Sequence, residues 1–257
     1  MILENAPKFI GLLYAICVII VLAVLTRKQK FNSKLGLLFL FLSTIFGFLF
    51  FSPMLPYSFQ LLLLQDTVSL GAPLPMAVLG LVLILVLTFV FGRFFCGYVC
   101  PIGAVQELAS RLPIKRKKIS NQKAVIIVHV FFFVLFAVLG LAFSVNMLSF
   151  FGIADFFNLQ FTSLFVIVFV LLVIISTVVY RPFCRFVCPY GLLLSFAALK
   201  SVFQLKRNEN CIDCGMCEKN CPTDEATVKA FKQECYLCMT CSEVCPENGI
   251  SYEKKSA

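Results

Sequence analysis

Five stretches of this chain, roughly 9–26, 35–51, 74–95, 124–143 and 161–180, are apolar runs near the length of about 20 residues that crosses a bilayer as a helix. Hydrocarbon offers no water to a backbone amide, so such runs fold as helices that bond internally and pack as a bundle. Composition agrees. Of 257 residues 60% are hydrophobic, 30 are Phe, and the mean hydropathy of +0.96 exceeds that of a soluble domain. The expected class is a polytopic α-helical membrane protein with about five transmembrane helices.

The formal charge of +9 invites a nucleic-acid reading, which its distribution excludes. Residues 204–257 carry seven Lys/Arg and nine Asp/Glu, whereas residues 1–203 carry 15 and four. The basic excess falls in alternate loops: Arg27, Lys28, Lys30 and Lys34; Arg111, Lys115, Arg116, Lys117, Lys118 and Lys123; Arg181, Arg185 and Lys200. Lys206 and Arg207 continue the last of these runs. The other loops hold Asp66 and Asp155 and almost no positive charge. By the positive-inside rule the basic loops are cytoplasmic, which puts the N-terminus outside after five crossings and the C-terminal part inside the cell membrane. Lys115 to Lys118 serves as a topology determinant or also grips anionic lipid. No secretory signal is expected, since Glu4 stands against Lys8 and no small-residue cleavage site follows the first run.

Aligned to itself at an offset of 88, the chain superposes GRFFCGYVCPIG (92–103) on YRPFCRFVCPYG (180–191). Each segment follows an apolar run, so runs two plus three and four plus five read as two copies of one hairpin related by an axis along the membrane normal. In a helix, residues four apart share a face, so Cys96 with Cys100 and Cys184 with Cys188 present paired sulfurs. Pro101 and Pro189 push the preceding Cys out of helical geometry and so place it at a helix end. Four thiols converging at the cytoplasmic boundary suit a metal, a cluster or a redox thiol set; the alternative is small buried packing residues. Arg93 and Arg181 read either as stabilisers of thiolates or as snorkelling anchors.

After Lys200 apolar density collapses. Cys211, Cys214, Cys217 and Cys221 run C-x2-C-x2-C-x3-C followed by Pro222, and Cys235, Cys238, Cys241 and Cys245 repeat the run before Pro246. This is the bacterial two-cluster signature, in which the fourth Cys of each run ligates the other cluster. Cluster one is then held by Cys211, Cys214, Cys217 and Cys245, and cluster two by Cys235, Cys238, Cys241 and Cys221. Two [4Fe-4S] clusters are the implied cofactors, with a further metal or cluster at the twin C-x3-C-P motifs left open. The chain divides into a transmembrane domain, 1–203, and an α+β two-[4Fe-4S] ferredoxin-like domain, 204–257. Thiols used this way belong on a reducing face of the membrane.

His129 is the only histidine, so one chain cannot build a bis-His haem. It reads as a quinone or proton partner, or as a hydrogen-bonded bundle residue. Cys17 reads as packing, Asp66 and Asp155 as solvated loop charges, and Phe59 to Leu70, near Pro53, Pro56 and Pro73, as a segment lying along the outer surface. No substrate pocket, flavin motif or nucleotide loop is legible, so no catalytic residue is assigned.

The paired Arg-x2-Cys-x3-Cys-Pro-x-Gly motifs followed by a two-cluster ferredoxin resemble the NapH/NosR family of membrane ferredoxins, over about residues 74 to 250. The resemblance implies an integral membrane electron-transfer subunit between the quinone pool and a redox partner protein, with cytoplasmic clusters and cytoplasmic C-x3-C-P pairs. The chain departs from NapH-like proteins in having five apolar runs rather than four, and from NosR-like ones in lacking a flavin-bearing outer domain, so a NapH-like short form is the nearer match. Two other readings stand beside electron transfer. One is a metal-handling or assembly factor whose membrane thiols bind or reduce copper-type ions; the other is a plain anchor for a ferredoxin.

Overall fold

The computed structural model describes residues 6–51, 54–66, 70, 73–114, 117–119, 121–160, 162–228 and 230–255. Glu4, Pro53, Lys115, Arg116 and the Lys8 side chain, which entered the arguments above, lie outside the described residues. Helices α1 (Ala6–Arg27) and α2 (Ser33–Phe50) are followed by the short α3 (Leu55–Leu63) and by α4 (Leu74–Phe91). A π-helical turn, Phe95–Val99, leads into α5 (Pro101–Ser110). The second copy runs through α6 (Gln122–Phe143), a 3-10 turn (Met147–Phe151), α7 (Ile153–Phe157) and α8 (Leu164–Ile175), then a π turn, Phe183–Val187, and α9 (Pro189–Leu199). The C-terminal part holds β1 (Phe203–Arg207), α10 (Met216–Asn220), α11 (Thr240–Glu243) and β2 (Ile250–Lys254).

Among the described residues α1, α2, α4 and α6 are long and apolar enough to cross a membrane. The fifth run differs from expectation, because α8 is regular for only 12 residues. Ser176 and Thr177 turn their hydroxyls back onto the carbonyls of Leu172 and Ile174, and the amides from Ser176 to Val179 bond three or four residues back. The run is therefore a helix of about 18 Å closed by tight turns worth about 8 Å more.

Apolar side chains such as Leu49, Ile127, Phe131, Leu141 and Leu164 point outward, as lipid-facing helices require. Cys17, expected in packing, also faces outward. Contacts between helices use small residues. On α2, Gly36, Leu40, Ser43 and Gly47 form one buried stripe, and a Cβ on Gly47 would come within 2.6 Å of Pro101 and 2.7 Å of Phe157.

The segment from Phe59 does not lie along the outer surface. Helix α3 turns inward with Leu55, Pro56, Gln60 and Leu61 buried, and Phe59 meets Phe136 and Tyr190 at ring-centroid distances of 6.0 Å. Gln60 explains the turn: its amide donates to the Val145 carbonyl and accepts from the Leu148 amide, tying α3 to the connection after α6 inside the bundle. Residues 67–69 of that segment lie outside the described ones.

Strands β1 and β2 pair antiparallel, Phe203 opposite Lys254 through Arg207 opposite Ile250. This small sheet fixes the C-terminal part to the bundle. The Val202 amide donates to the Phe89 carbonyl, Tyr252 Oη donates to the Phe91 carbonyl at 2.7 Å, and Phe91, Phe203 and Tyr252 stack in sequence.

Gly152 has φ +61°, and a Cβ there would sit 2.0 Å from the Phe165 carbonyl oxygen, whereas a Cβ on Gly140 meets nothing within 4 Å. Gly152→Ala is expected to cost about 2 kcal/mol or more and Gly140→Ala to be near neutral. Thermal unfolding of both variants in detergent checks the contrast; equal melting points would contradict the packing of Gly152 against α8.

Candidate metal centre

Both C-x3-C-P segments fold alike. The amides of Cys100 and Cys188 bond five residues back, to Phe95 at 2.8 Å and Phe183 at 2.9 Å, so each motif is one π turn where the sequence suggested α-helix. Insertions of this kind recur at functional sites, because they re-aim a side chain without breaking the helix. Proline then takes the first position of α5 and of α9, leaving Cys100 (φ −66°, ψ 121°) and Cys188 (φ −64°, ψ 111°) as N-cap residues. A sulfur there faces the positive end of a helix, which favours thiolate.

Cys96, Cys100, Cys184 and Cys188 line one small cavity, with Pro56 of α3 in its wall. All four cysteines are buried. Burial, helped by the neighbouring Cys96, pushes the Cys100 thiol up to about 12, and burial with mutual repulsion raises Cys184 and Cys188 as well. Donors surround the sulfurs: the Gly191 amide lies 3.2 Å from Cys188 Sγ, Gln106 Nε2 lies 3.9 Å from Cys184 Sγ, and Arg93 Nη2 lies 3.9 Å from Cys96 Sγ. His129 Nε2 donates to the Cys188 carbonyl at 2.8 Å, the structural role among those expected of it.

Arg93 and Arg181 are fully buried, so neither snorkels. Arg181 Nε donates to Glu107 Oε2 at 2.9 Å, and its Nη groups donate to the carbonyls of Cys96 and Gly97. Arg93 Nη1 reaches Ser195 Oγ at 3.0 Å, the Gln233 carbonyl at 3.0 Å and Glu234 Oε1 at 2.9 Å. A third buried guanidinium, Arg185, has Nε 3.6 Å from Glu234 Oε2. Three buried cations thus meet two buried carboxylates. Arg185 Nε and Nη2 and Arg93 Nε have no hydrogen-bond partner among the described residues. Orphaned buried donors beside four thiols are what an anionic, thiolate-ligated group would satisfy.

The C-terminal cysteines come close to this site. Cys221 stands with Cys235, Cys238 and Cys241 around one cavity, near enough that Cys221 raises the other three thiols further after burial. Cys211 and Cys245 meet across Gly249, whose amide bonds Cys245 Sγ at 3.1 Å and whose missing Cβ would lie 3.0 Å from Cys211 Cα. Between the two centres lies Tyr236, the residue after Cys235. Its buried ring sits 4.3 Å from the Arg93 guanidinium and 4.9 Å from that of Arg181. Gly97 is obligatory here, since a Cβ would meet the Tyr236 carbonyl at 2.5 Å, and Tyr98 Oη donates to the Leu237 carbonyl. Cys214, Ile212 and Met216 are exposed.

Sequence reasoning missed Glu107, Arg185, Ser195, Glu234, Tyr236 and Pro56. The offset of 88 already paired Glu107 with Ser195; nothing in the pattern singled out Glu234 or Tyr236.

A family described as 4Fe-4S binding domain matches the chain twice, at residues 73–120 and 161–208. The matches begin 88 residues apart and fall on the two membrane repeats. An uncharacterised protein of Methanocaldococcus jannaschii is 33% identical over 182 residues, 67% of this chain and 76% of that protein. The putative electron transport protein YccM of Escherichia coli is 35% identical over 66% of this chain, which spans only 53% of it. The ferredoxin-type protein NapH of Escherichia coli is 28% identical, with 75% of this chain and 73% of NapH aligned. No solved structure matches.

Burial works to raise the Glu107 carboxyl, but Arg181, Tyr180 and Arg111 hold it below its ordinary value of 4.5. Its stabilisation is therefore complete above that value and is lost as pH falls through the lower folded one. Glu107→Gln is expected to cost about 3–5 kcal/mol at pH 7, with the difference from wild type shrinking below pH ~4. Melting curves in detergent across pH read both; a pH-independent gap would contradict the pairing.

Proposed function

Since the chain belongs to the ferredoxin-type membrane protein family that includes NapH, and is an iron–sulfur electron-transfer protein of the membrane, we propose that it links the quinone pool to a redox partner protein through three centres. Residues 204–257 form the module in which Cys211, Cys214, Cys217 and Cys245 would hold cluster one, and Cys235, Cys238, Cys241 and Cys221 cluster two. Cys96, Cys100, Cys184 and Cys188 would hold the third. Such clusters supply one-electron transfer, and the protein sets their spacing and surroundings.

The observation that carries this reading is Tyr236. It follows a cluster-two cysteine in the chain and is clamped between the two arginines that flank the membrane thiols. The second centre therefore abuts the third, while exposed Cys214 gives the first centre a solvent-side port. The positive-inside charge pattern supports a cytoplasmic position for that port. Arg93 and Arg185, whose buried guanidinium groups keep donors without a partner among the described residues, favour an anionic cluster over the copper-handling alternative.

Anaerobic purification is expected to yield about twelve irons per chain, three four-iron clusters, and no stoichiometric copper. Cys96→Ser with Cys184→Ser should lower the count to about eight and stop quinol-driven reduction, with the ferredoxin EPR signals intact. Unchanged iron and unchanged turnover would sink the third centre.

A further inference from the structure

The two repeats exchange their arginines. Arg93 and Arg181 are equivalent at the offset of 88, as are Glu107 and Ser195. Arg181 of the second copy is held by Glu107 of the first, and Arg93 of the first reaches Ser195 of the second. The arrangement is reciprocal in geometry but not in charge, because serine stands where the pattern calls for a carboxylate. That carboxylate arrives from elsewhere: Glu234 Oε1 lies 2.6 Å from Ser195 Oγ and 2.9 Å from Arg93 Nη1. Its position is telling, since a glutamate at 195 would place a carboxylate oxygen about 2.4 Å from its Cγ, close to where Glu234 Oε1 now sits.

We infer that Glu234 completes the membrane cysteine site: it is the carboxylate missing from the second repeat, supplied by the C-terminal part. It is a positioning residue that holds Arg93 against Cys96. Among the described residues Arg93, Arg185, Ser195 and Tyr236 are the hydrogen-bond and ion-pair partners of its side chain. The membrane centre is thus whole only when the ferredoxin part is docked, so assembly of the centre and completion of the electron path are one event. This rests on the membrane thiols being a working site, and one arm of its test does not depend on a cluster being there.

The full-length protein, purified anaerobically, is treated with iodoacetamide, and alkylation of Cys96 and Cys184 is followed by mass spectrometry alongside iron content and the potential of the third centre. Glu234→Gln keeps the shape and removes the charge. Alkylation should speed by about tenfold or more, as expected when a buried cation loses its partner and the site opens, and the third centre should become easier to reduce, since a nearby negative charge is gone. The rescue is Ser195→Glu combined with Glu234→Ala, which vacates the space. It should restore slow alkylation and the wild-type potential, although protease cleavage near Gln204 stays faster than in wild type because the new carboxylate does not tether the ferredoxin part.

Unchanged alkylation and potential in Glu234→Gln would overturn the inference. So would a double variant in which protection returns only together with docking, which is what a merely structural Glu234 predicts. If Glu234→Ala does not accumulate, Ser195→Ala removes the hydroxyl between Glu234 and Arg93 and should speed alkylation by about threefold; no change would count against the proposal. A wild-type count of about eight irons would end the three-centre reading, and the alkylation arm would still decide the role of Glu234.

Discussion

Everything at the membrane boundary of this protein depends on pairing buried guanidinium groups. A cation taken out of water must be met by an anion and by hydrogen bonds, or the fold loses several kcal/mol. Arg181 finds its carboxylate within the repeats, in Glu107; Arg93 finds one in Glu234 of the C-terminal part. That requirement ties two regions with opposite solvent preferences into one body. The β1–β2 sheet, Tyr252 against Phe91 and the Val202 amide on Phe89 reinforce the tie, but each is a neutral contact worth about 1 kcal/mol.

The same arginines set the electrostatics of the four thiols. Burial raises Cys100, Cys184 and Cys188, which disfavours the thiolates that any soft metal group requires. Helix N-termini at Cys100 and Cys188, amide donors and an excess of buried positive charge work in the opposite direction. The balance suits an anionic cluster. The π turns add geometry to this, since they carry the first cysteine of each pair and the helix end carries the second.

Much of this was legible in the chain. Hydropathy located the membrane runs, and the offset of 88 located both thiol pairs, both prolines and both arginines, because a repeated structure repeats its special residues. Three features were hidden for physical reasons. The fifth run is long in hydropathy but short in helix, since Ser176 and Thr177 bend hydroxyls onto the backbone and hydropathy does not register that competition. Helix α3 looked like a surface segment because its buried hydrogen bonds run through one glutamine, Gln60, to a loop 85 residues away. Glu234 and Tyr236 sit among the cysteines expected to bind clusters, where any residue is plausible, and their meaning exists only in the docked arrangement.

The membrane cysteines and the Cys235 run would form adjacent centres bridged at Tyr236. Pulsed EPR of the fully reduced protein tests this most directly. Three paramagnetic iron–sulfur centres are expected, with one from the membrane set coupled magnetically to one of the ferredoxin pair, and loss of that centre and its coupling, the ferredoxin pair remaining, when Cys96 and Cys184 are replaced. Two centres only, with a spectrum indifferent to those replacements, would contradict it.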